Sequence, residues 1–292
     1  MSDKVVSLDS AEKIDWPNAV LLSIVHILAL AGIVYIAMGA CAWQTLVFAF
    51  FWNLACGLAI TAGYHRLFSH CSYQAPTWLR VFYAVFGAFG VQNSILDWCA
   101  HHRPHHVHVD TPKDPYNATR GFWWSHIGWV MHRNKQNYSW VRDLERDPVV
   151  RWQKKYYIAL VMTGSLVIPT LVPALWGDIA GGFLVASALR LAVQYFSTFS
   201  VNSFAHMFGS RPFSRAVTAC NNWLVGLITL GEAGGHADHH AFSTDYRAGG
   251  LAWWYVDPTK WFIWSLEKLG IVTCVVRISP EKIKSALVDK DG

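Results

Sequence analysis

From Trp16 to His65 the chain carries no aspartate, glutamate, lysine or arginine. A bilayer crossing takes about 20 apolar residues. The run therefore predicts two crossing helices, joined by a tight turn at Gly39-Ala40-Cys41-Ala42. A second apolar stretch, Tyr156 to Phe208, is interrupted only by Asp178 and Arg190, and Trp176-Gly177-Asp178 supplies its turn. Surface helices of soluble proteins keep a polar face, so uncharged runs of this length argue against a soluble helical core. The pattern predicts an all-α membrane protein, one domain over 1–292, with four transmembrane helices in two hairpins at about 18–63 and 156–207. Segments 64–155 and 208–292 then lie on one side and should pack together as a helical cap. Leu79 to Asp97 is apolar enough to suggest a fifth crossing. That would put His65 and His70 across the membrane from His102, His105 and His106. The segment ends in Gln92, Asn93 and Ser94, so the expectation is a helix lying at or in the interface beneath the cap.

Charge supports this topology. The net charge is +5, but it is unevenly placed. Twelve Lys or Arg fall between Arg66 and Lys155 and nine after Met207, while the hairpin turns carry none. This is the bias of loops on the cytoplasmic side, and it removes the argument for nucleic acid as a partner; some of the basic residues would meet membrane lipid head groups. Residues 1–15 carry four acids and two lysines without a cleavable-leader pattern, so the first apolar run should stay as an anchor. Cysteines at 41, 56, 71, 99, 220 and 274 form no C-x-x-C pair and read as small apolar residues.

The candidate chemistry lies in fourteen histidines, nine of them in four short patterns. These are His65-Arg-Leu-Phe-Ser-His70, His102-Arg-Pro-His105-His106, Asn202-Ser-Phe-Ala-His206 and His236-Ala-Asp-His239-His240. Positions i, i+3 and i+4 share a helix face. His102, His105 and His106 can thus converge, as can His236, His239 and His240, with Asn202 and His206 one turn apart. His65 and His70, five apart, converge only if the helix ends between them. Imidazole suits iron, zinc, copper and nickel, and nine ligands are enough for two ions. Asn202 adds an oxygen, directly or through water. His26, His126 and His132 read as packing or hydrogen-bonding residues; His101 and His108 are left open. Pro104, inside the second pattern, is tolerable only near a helix start.

Several segments resemble membrane fatty-acid desaturases of the stearoyl-CoA type. They are GYHRLFSH (63–70), QNSILDW (92–98), HRPHH (102–106), DPYNATRGFWWSHIGW (114–129), NSFAHMFG (202–209), GE (231–232), HxxHH (236–240), DYR (245–247) and DPTKW (257–261). The resemblance implies four transmembrane helices, a cytosolic cap and two iron ions held by His65, His70, His102, His105, His106, His206, His236, His239 and His240, with Asn202 linked through water. It implies oxygen-dependent formation of a cis double bond, usually between carbons nine and ten, in a long-chain acyl-CoA or phospholipid acyl group. Electrons would come from a separate ferredoxin, rubredoxin or b-type cytochrome, since no His-Pro-Gly-Gly haem motif is present. Gln92, Asn93, Trp98, Arg133 and Lys135 are the candidate substrate-binding residues.

The chain departs from that pattern in places. Ala100-His101 stand where acyl-CoA members usually carry Arg-Asp that holds the CoA head, which raises the expectation of a phospholipid-linked substrate. Arg133 is followed by Asn134, with Lys135 one step later; GEAGGHADHH has one residue more than usual after GE, and Ser243 replaces a common proline. An unactivated methylene offers no acidic proton, so its oxidation calls for metal and oxygen, with an apolar tunnel selecting the methylene pair by position. The rivals are a related alkane or lipid hydroxylase and, in another class, a histidine-rich metal transporter. Transporters place ionisable groups along the crossings, whereas here the clusters sit at crossing ends and in loops. Arg190 then reads as an inward structural donor. Short termini without a retention signal suggest a bacterial inner membrane, with the endoplasmic reticulum as alternative and the active site cytoplasmic.

Overall fold

The computed structural model describes residues 13–133 and 136–287; Asn134 and Lys135 lie outside them, as does most of the N-terminal segment. Among the described residues the structure is helical, with isolated bridges and no β-strand. Four helices are long and apolar enough to cross a membrane: α1 (Trp16–Ala37), α2 (Trp43–Ser69), and, after several shorter helices, Pro148–Trp176 and Ile179–Met207. The turns fall where the pattern put them, with Gly39 at φ 70° and Gly177 at φ 82°; glycine adopts these angles without a Cβ penalty. The helices run past the apolar limits expected, because helical hydrogen bonding continues beyond the apolar slab into the cap.

The segment 79–97 is not one interfacial helix. It is split into α3 (Thr77–Ala88) and α4 (Ile95–His108) by a turn over 89–94. α3 is packed into the protein: Gly63 on α2 lies against the Tyr83 ring and Gly87 on α3 against the Tyr64 ring, with no room for a Cβ at either glycine. Pro104 sits well inside α4 rather than near its start. It has no N–H to donate to the carbonyl one turn back, a loss that a helix packed on several sides can absorb.

The remaining crossings are α5 (Pro148–Trp176) and α6 (Ile179–Met207). Beyond α6 lie α7 (Trp223–Ile228), α8 (His236–Ala241) and α9 (Pro258–Lys268). The two cap segments pair as expected: Gln74 and Thr273 exchange backbone hydrogen bonds of 2.8 and 3.0 Å, and Val276 N–H donates to Ser72 O at 2.9 Å. At the far end of the bundle, buried Asp178 joins the hairpins. It accepts from Tyr35 Oη at 2.8 Å, Thr45 Oγ1 at 2.6 Å and the amides of Ala42 and Gly181, each at 2.9 Å. Arg190 is buried inside the bundle and donates to Phe89 O at 2.8 Å, the structural role read for it.

Candidate metal centre

The last part of α2, Ala59–Ser69, is a π-helix, and every residue in it is buried. Its i→i+5 pattern brings His70 N–H to His65 O at 3.1 Å and places the two rings 4.8 Å apart. The helix ends at Ser69, between the two as the spacing required, and its widened last turn carries His70 round to His65. Such π segments occur mostly at functional sites. Arg103 on α4 fixes the end of this helix, donating to Phe68 O at 2.8 Å and Ser69 O at 3.1 Å.

α2, α4, α6 and α8 bring the nine patterned histidines together in two groups. One holds His65, His70, His102, His106 and His239; the other holds His105, His206, His236 and His240. Within each group the ligand atoms lie within 4.8 Å of one another. Neighbouring Nε2 atoms are 2.9 Å apart for His65–His239, His70–His102 and His206–His236, and 3.0 Å for His106–His239. Bonds of about 2.0–2.1 Å to one ion put adjacent imidazole nitrogens ~3 Å apart.

Mutual hydrogen bonding does not account for the packing of His65, His105 and His206, because their outer nitrogens are already spoken for. His65 Nδ1 donates to Glu232 Oε2 at 2.7 Å, and His105 Nδ1 to Asp114 Oδ1 at 2.8 Å. His206 Nδ1 lies 2.8 Å from Thr218 Oγ1, which is held by Asp110 Oδ1 at 2.6 Å. A neutral imidazole has one N–H; spending it outward leaves the Nε2 lone pairs facing inward. Only a cation satisfies converging lone pairs, and outward carboxylates are the usual second shell of ligating histidines. Electrostatics agree. Burial, then the neighbouring imidazoles and cations, pushes His70, His102, His106, His239 and His240 well below the ordinary histidine value, and His236 to about 3. At neutral pH these rings are uncharged and able to bind a metal cofactor.

Glu232, Asp114, Thr218, Asp110 and Arg66 carry this arrangement, and the sequence pattern alone did not assign them roles. Arg66 is fully buried, donating to Glu232 Oε1 at 2.6 Å, Asp257 Oδ1 at 3.0 Å and Tyr246 O at 2.7 Å. Burial raises the Glu232 carboxyl, but Arg66 and His65 outweigh it and hold it below the usual range. One signal was available: Glu232 is the sole acid between Asp178 and Asp238.

A cavity runs between α1, α2, α6 and the 89–94 turn to the metal groups. His65, His102, His105 and His236 line it, as do Asn202, Gln92, Asn93 and Trp98. Trp98 stacks on His102 with centroids 4.5 Å apart. Val91 and Asn93 hold positive φ, 53° and 73°, a strained backbone that brackets Gln92, whose Nε2 donates across the cavity to Thr198 Oγ1 at 2.8 Å. The wall is more polar than expected, with Thr61, Gln194 and Thr229 also facing it, because the transmembrane helices keep their polar residues on the inside, away from lipid. Arg133 is exposed, pairs through its backbone with Lys13 and does not line the cavity. His101 does line it, buried, its Nε2 without a partner. His26, His126 and His132 bond Leu22 O, Ser203 Oγ and Gly128 O, while His108 lies edge-on to Trp140.

Comparison with known proteins matches residues 40–268 to the fatty acid desaturase family model. The chain is 42% identical to human stearoyl-CoA desaturase 5, over 90% of this chain and 81% of that one. It is 37% identical to a probable acyl-CoA desaturase of Schizosaccharomyces pombe, over 95% of this chain but only 58% of the relative's length. It is also 37% identical to the Caenorhabditis elegans delta(9)-fatty-acid desaturase fat-7, over 89% of this chain and 78% of that one. These relatives are eukaryotic and lend nothing to a bacterial inner membrane. With the family model matching most of its length, the chain belongs to the fatty acid desaturase family.

Proposed function

We propose that the protein is a multi-pass membrane enzyme that uses oxygen to place a cis double bond, between carbons nine and ten, in a saturated long-chain acyl-CoA. The observation that carries this reading is one cavity touching both histidine groups. In this reading the two groups hold two iron ions, and Asn202, facing the cavity one turn before His206, adds to the four-histidine group. Bound iron supplies the oxidising power, with oxygen, to break unactivated C–H bonds. The chain's own residues do the rest. Glu232 and Asp114 orient His65 and His105. Trp98 presents an apolar face beside the ligands, and the Gln92–Thr198 bond narrows the cavity where one methylene pair must stop, which is how position selects the bond.

The names of the relatives support acyl-CoA over a phospholipid acyl group. Ala100 and His101 are buried here, so that pair does not present a surface to a charged head; it carries no argument about the carrier. Eukaryotic relatives support the endoplasmic reticulum, with the cap in the cytosol. The test is aerobic expression in a host lacking its own desaturase, with His105→Ala as control and double bonds located by mass spectrometry. A new cis-monoene absent from the control is expected. Hydroxylated chains would replace the reading with a hydroxylase; no new lipid from iron-loaded protein with a working electron donor would overturn it.

A further inference from the structure

Gln194 on α6 is 5% exposed and lines the acyl cavity. Its Oε1 is buried without a hydrogen-bond partner, and among the described residues its Nε2 donates to no protein group. That nitrogen is directed at α2, where a Cβ on Gly57 would lie 4.0 Å from it. Gln92 stands close by. It spends its Nε2 on Thr198 Oγ1 at 2.8 Å, and its own Oε1 is likewise buried and unpartnered. Thr198 and Gln194, four residues apart on α6, share a helix face. The cavity wall thus presents two unpaired amide oxygens and an unpaired amide nitrogen within about one turn.

A plain hydrocarbon chain satisfies none of these atoms. Buried polar groups without partners are rare and costly, and lipid around the bundle offers no water to pair them. Packing does not account for Gln194 either, because leucine fills a similar volume with no amide to desolvate. Depth tells which part of a substrate meets it. Asn202, Thr198 and Gln194 follow one another at one-turn steps along α6, so Gln194 lies about 12 Å from Asn202 along the axis. A charged carrier stays on the cap side, since charge inside the bundle is costly. The chain therefore enters methyl end first, and Gln194 faces the part beyond the new double bond.

We propose that the cavity takes an acyl chain carrying a hydroxyl on the methyl side of the new double bond, and that Gln92 and Gln194 recognise that hydroxyl. This rests on the desaturase reading and narrows its substrate class. A hydroxyl both donates and accepts: its O–H donates to Gln92 Oε1, and its oxygen accepts from Gln194 Nε2. A keto group only accepts and leaves the amide oxygens unpaired. A carboxylate or ammonium group would carry charge into the bundle. The hydroxyl is a spectator, and no bond to it forms or breaks.

The test uses the full chain in nanodiscs. Zinc-loaded protein reports binding without turnover; iron-loaded protein with a working electron donor reports products. The probes are stearoyl-CoA and hydroxystearoyl-CoA isomers with the hydroxyl at successive carbons from twelve to seventeen. One isomer, or two adjacent ones, is expected to bind the wild type about tenfold more tightly than stearoyl-CoA, the net worth of one hydrogen bond. The iron form should convert it to a hydroxylated cis-monoene. Gln194→Leu is expected to reverse the order of affinities, because leucine pairs with a methylene and not with a hydroxyl; metal content and the thermal midpoint report its folding. If no isomer binds the wild type more tightly than stearoyl-CoA, water serves the two amides and the proposal is overturned, whatever the variant does. A preference that persists unchanged in folded Gln194→Leu overturns it as well. No monoene from any of these chains removes the desaturase reading and this one with it, whereas a monoene from stearoyl-CoA alone leaves that reading standing and removes only this one.

Discussion

Each end of the helix bundle buries a carboxylate, and the two are used differently. Asp178, at the turn end, receives four hydrogen bonds from a phenol, a hydroxyl and two amides. Even the Thr45 hydroxyl it binds is in turn bonded by Trp176 Nε1 at 2.8 Å. That network closes within the protein and stitches two hairpins. Glu232, at the cap end, receives Arg66 and His65, but the chain of contacts continues through His65 into a cluster of converging imidazole nitrogens with, among the described residues, no cation at its centre. A buried polar network left open in this way has a ligand to satisfy it; a closed one serves the fold.

The largest expected effect breaks the open end. His105→Ala removes a donor from the four-histidine group; desaturation falls to background and bound metal drops by about half, as one group of two is broken. Metal analysis and product analysis check this. Next comes the pairing of Glu232→Gln with Asp178→Asn. The first is expected to cost about 10–100-fold in metal affinity or turnover. The second keeps its metal but loses about 1–3 kcal/mol of stability. The same profile for both would erase the difference between the two ends.

Asp97 sharpens the comparison through pH. Burial raises its carboxyl, but hydrogen bonds from Lys154, Ser94 and Tyr138 outweigh that and hold it below the ordinary value. The unfolded carboxyl, near 3.9, takes up its proton before the folded one does. The contribution of Asp97 is therefore complete above about pH 4 and is lost as pH falls below it. Acid denaturation curves of Asp97→Asn should lack that part of the slope. The smallest effect is Arg277→Ala, at a partly exposed pair with Glu267. Stability should shift by no more than about 1 kcal/mol, with metal content unchanged.

The four crossings, both hairpin turns and the nine clustered histidines were legible in the sequence, because lipid forbids charge and helical spacing dictates faces. The helix end between His65 and His70 was legible too, but the widened turn that brings their rings together was not. It depends on a π-helix, whose cost is met by burial on every side and which local spacing does not announce. The break at 89–94 was hidden for a related reason: apolar continuity from Leu79 onward says nothing about two residues held at positive φ. Pro104 misled because propensity describes an isolated helix, not one clamped by Arg103 and packed on its neighbours.

What the sequence alone determined is therefore the inventory: which helices are apolar enough to cross, and which nitrogen donors gather at one end of the bundle. Tertiary structure alone decided how the donors divide into groups of five and four, which carboxylates aim them, and which rings face the cavity or the surface. The reason is range. Hydropathy and i, i+3, i+4 spacing act within one helix, whereas Glu232 on His65 and His240 on His106 are contacts between segments more than a hundred residues apart, set by packing that no local pattern records.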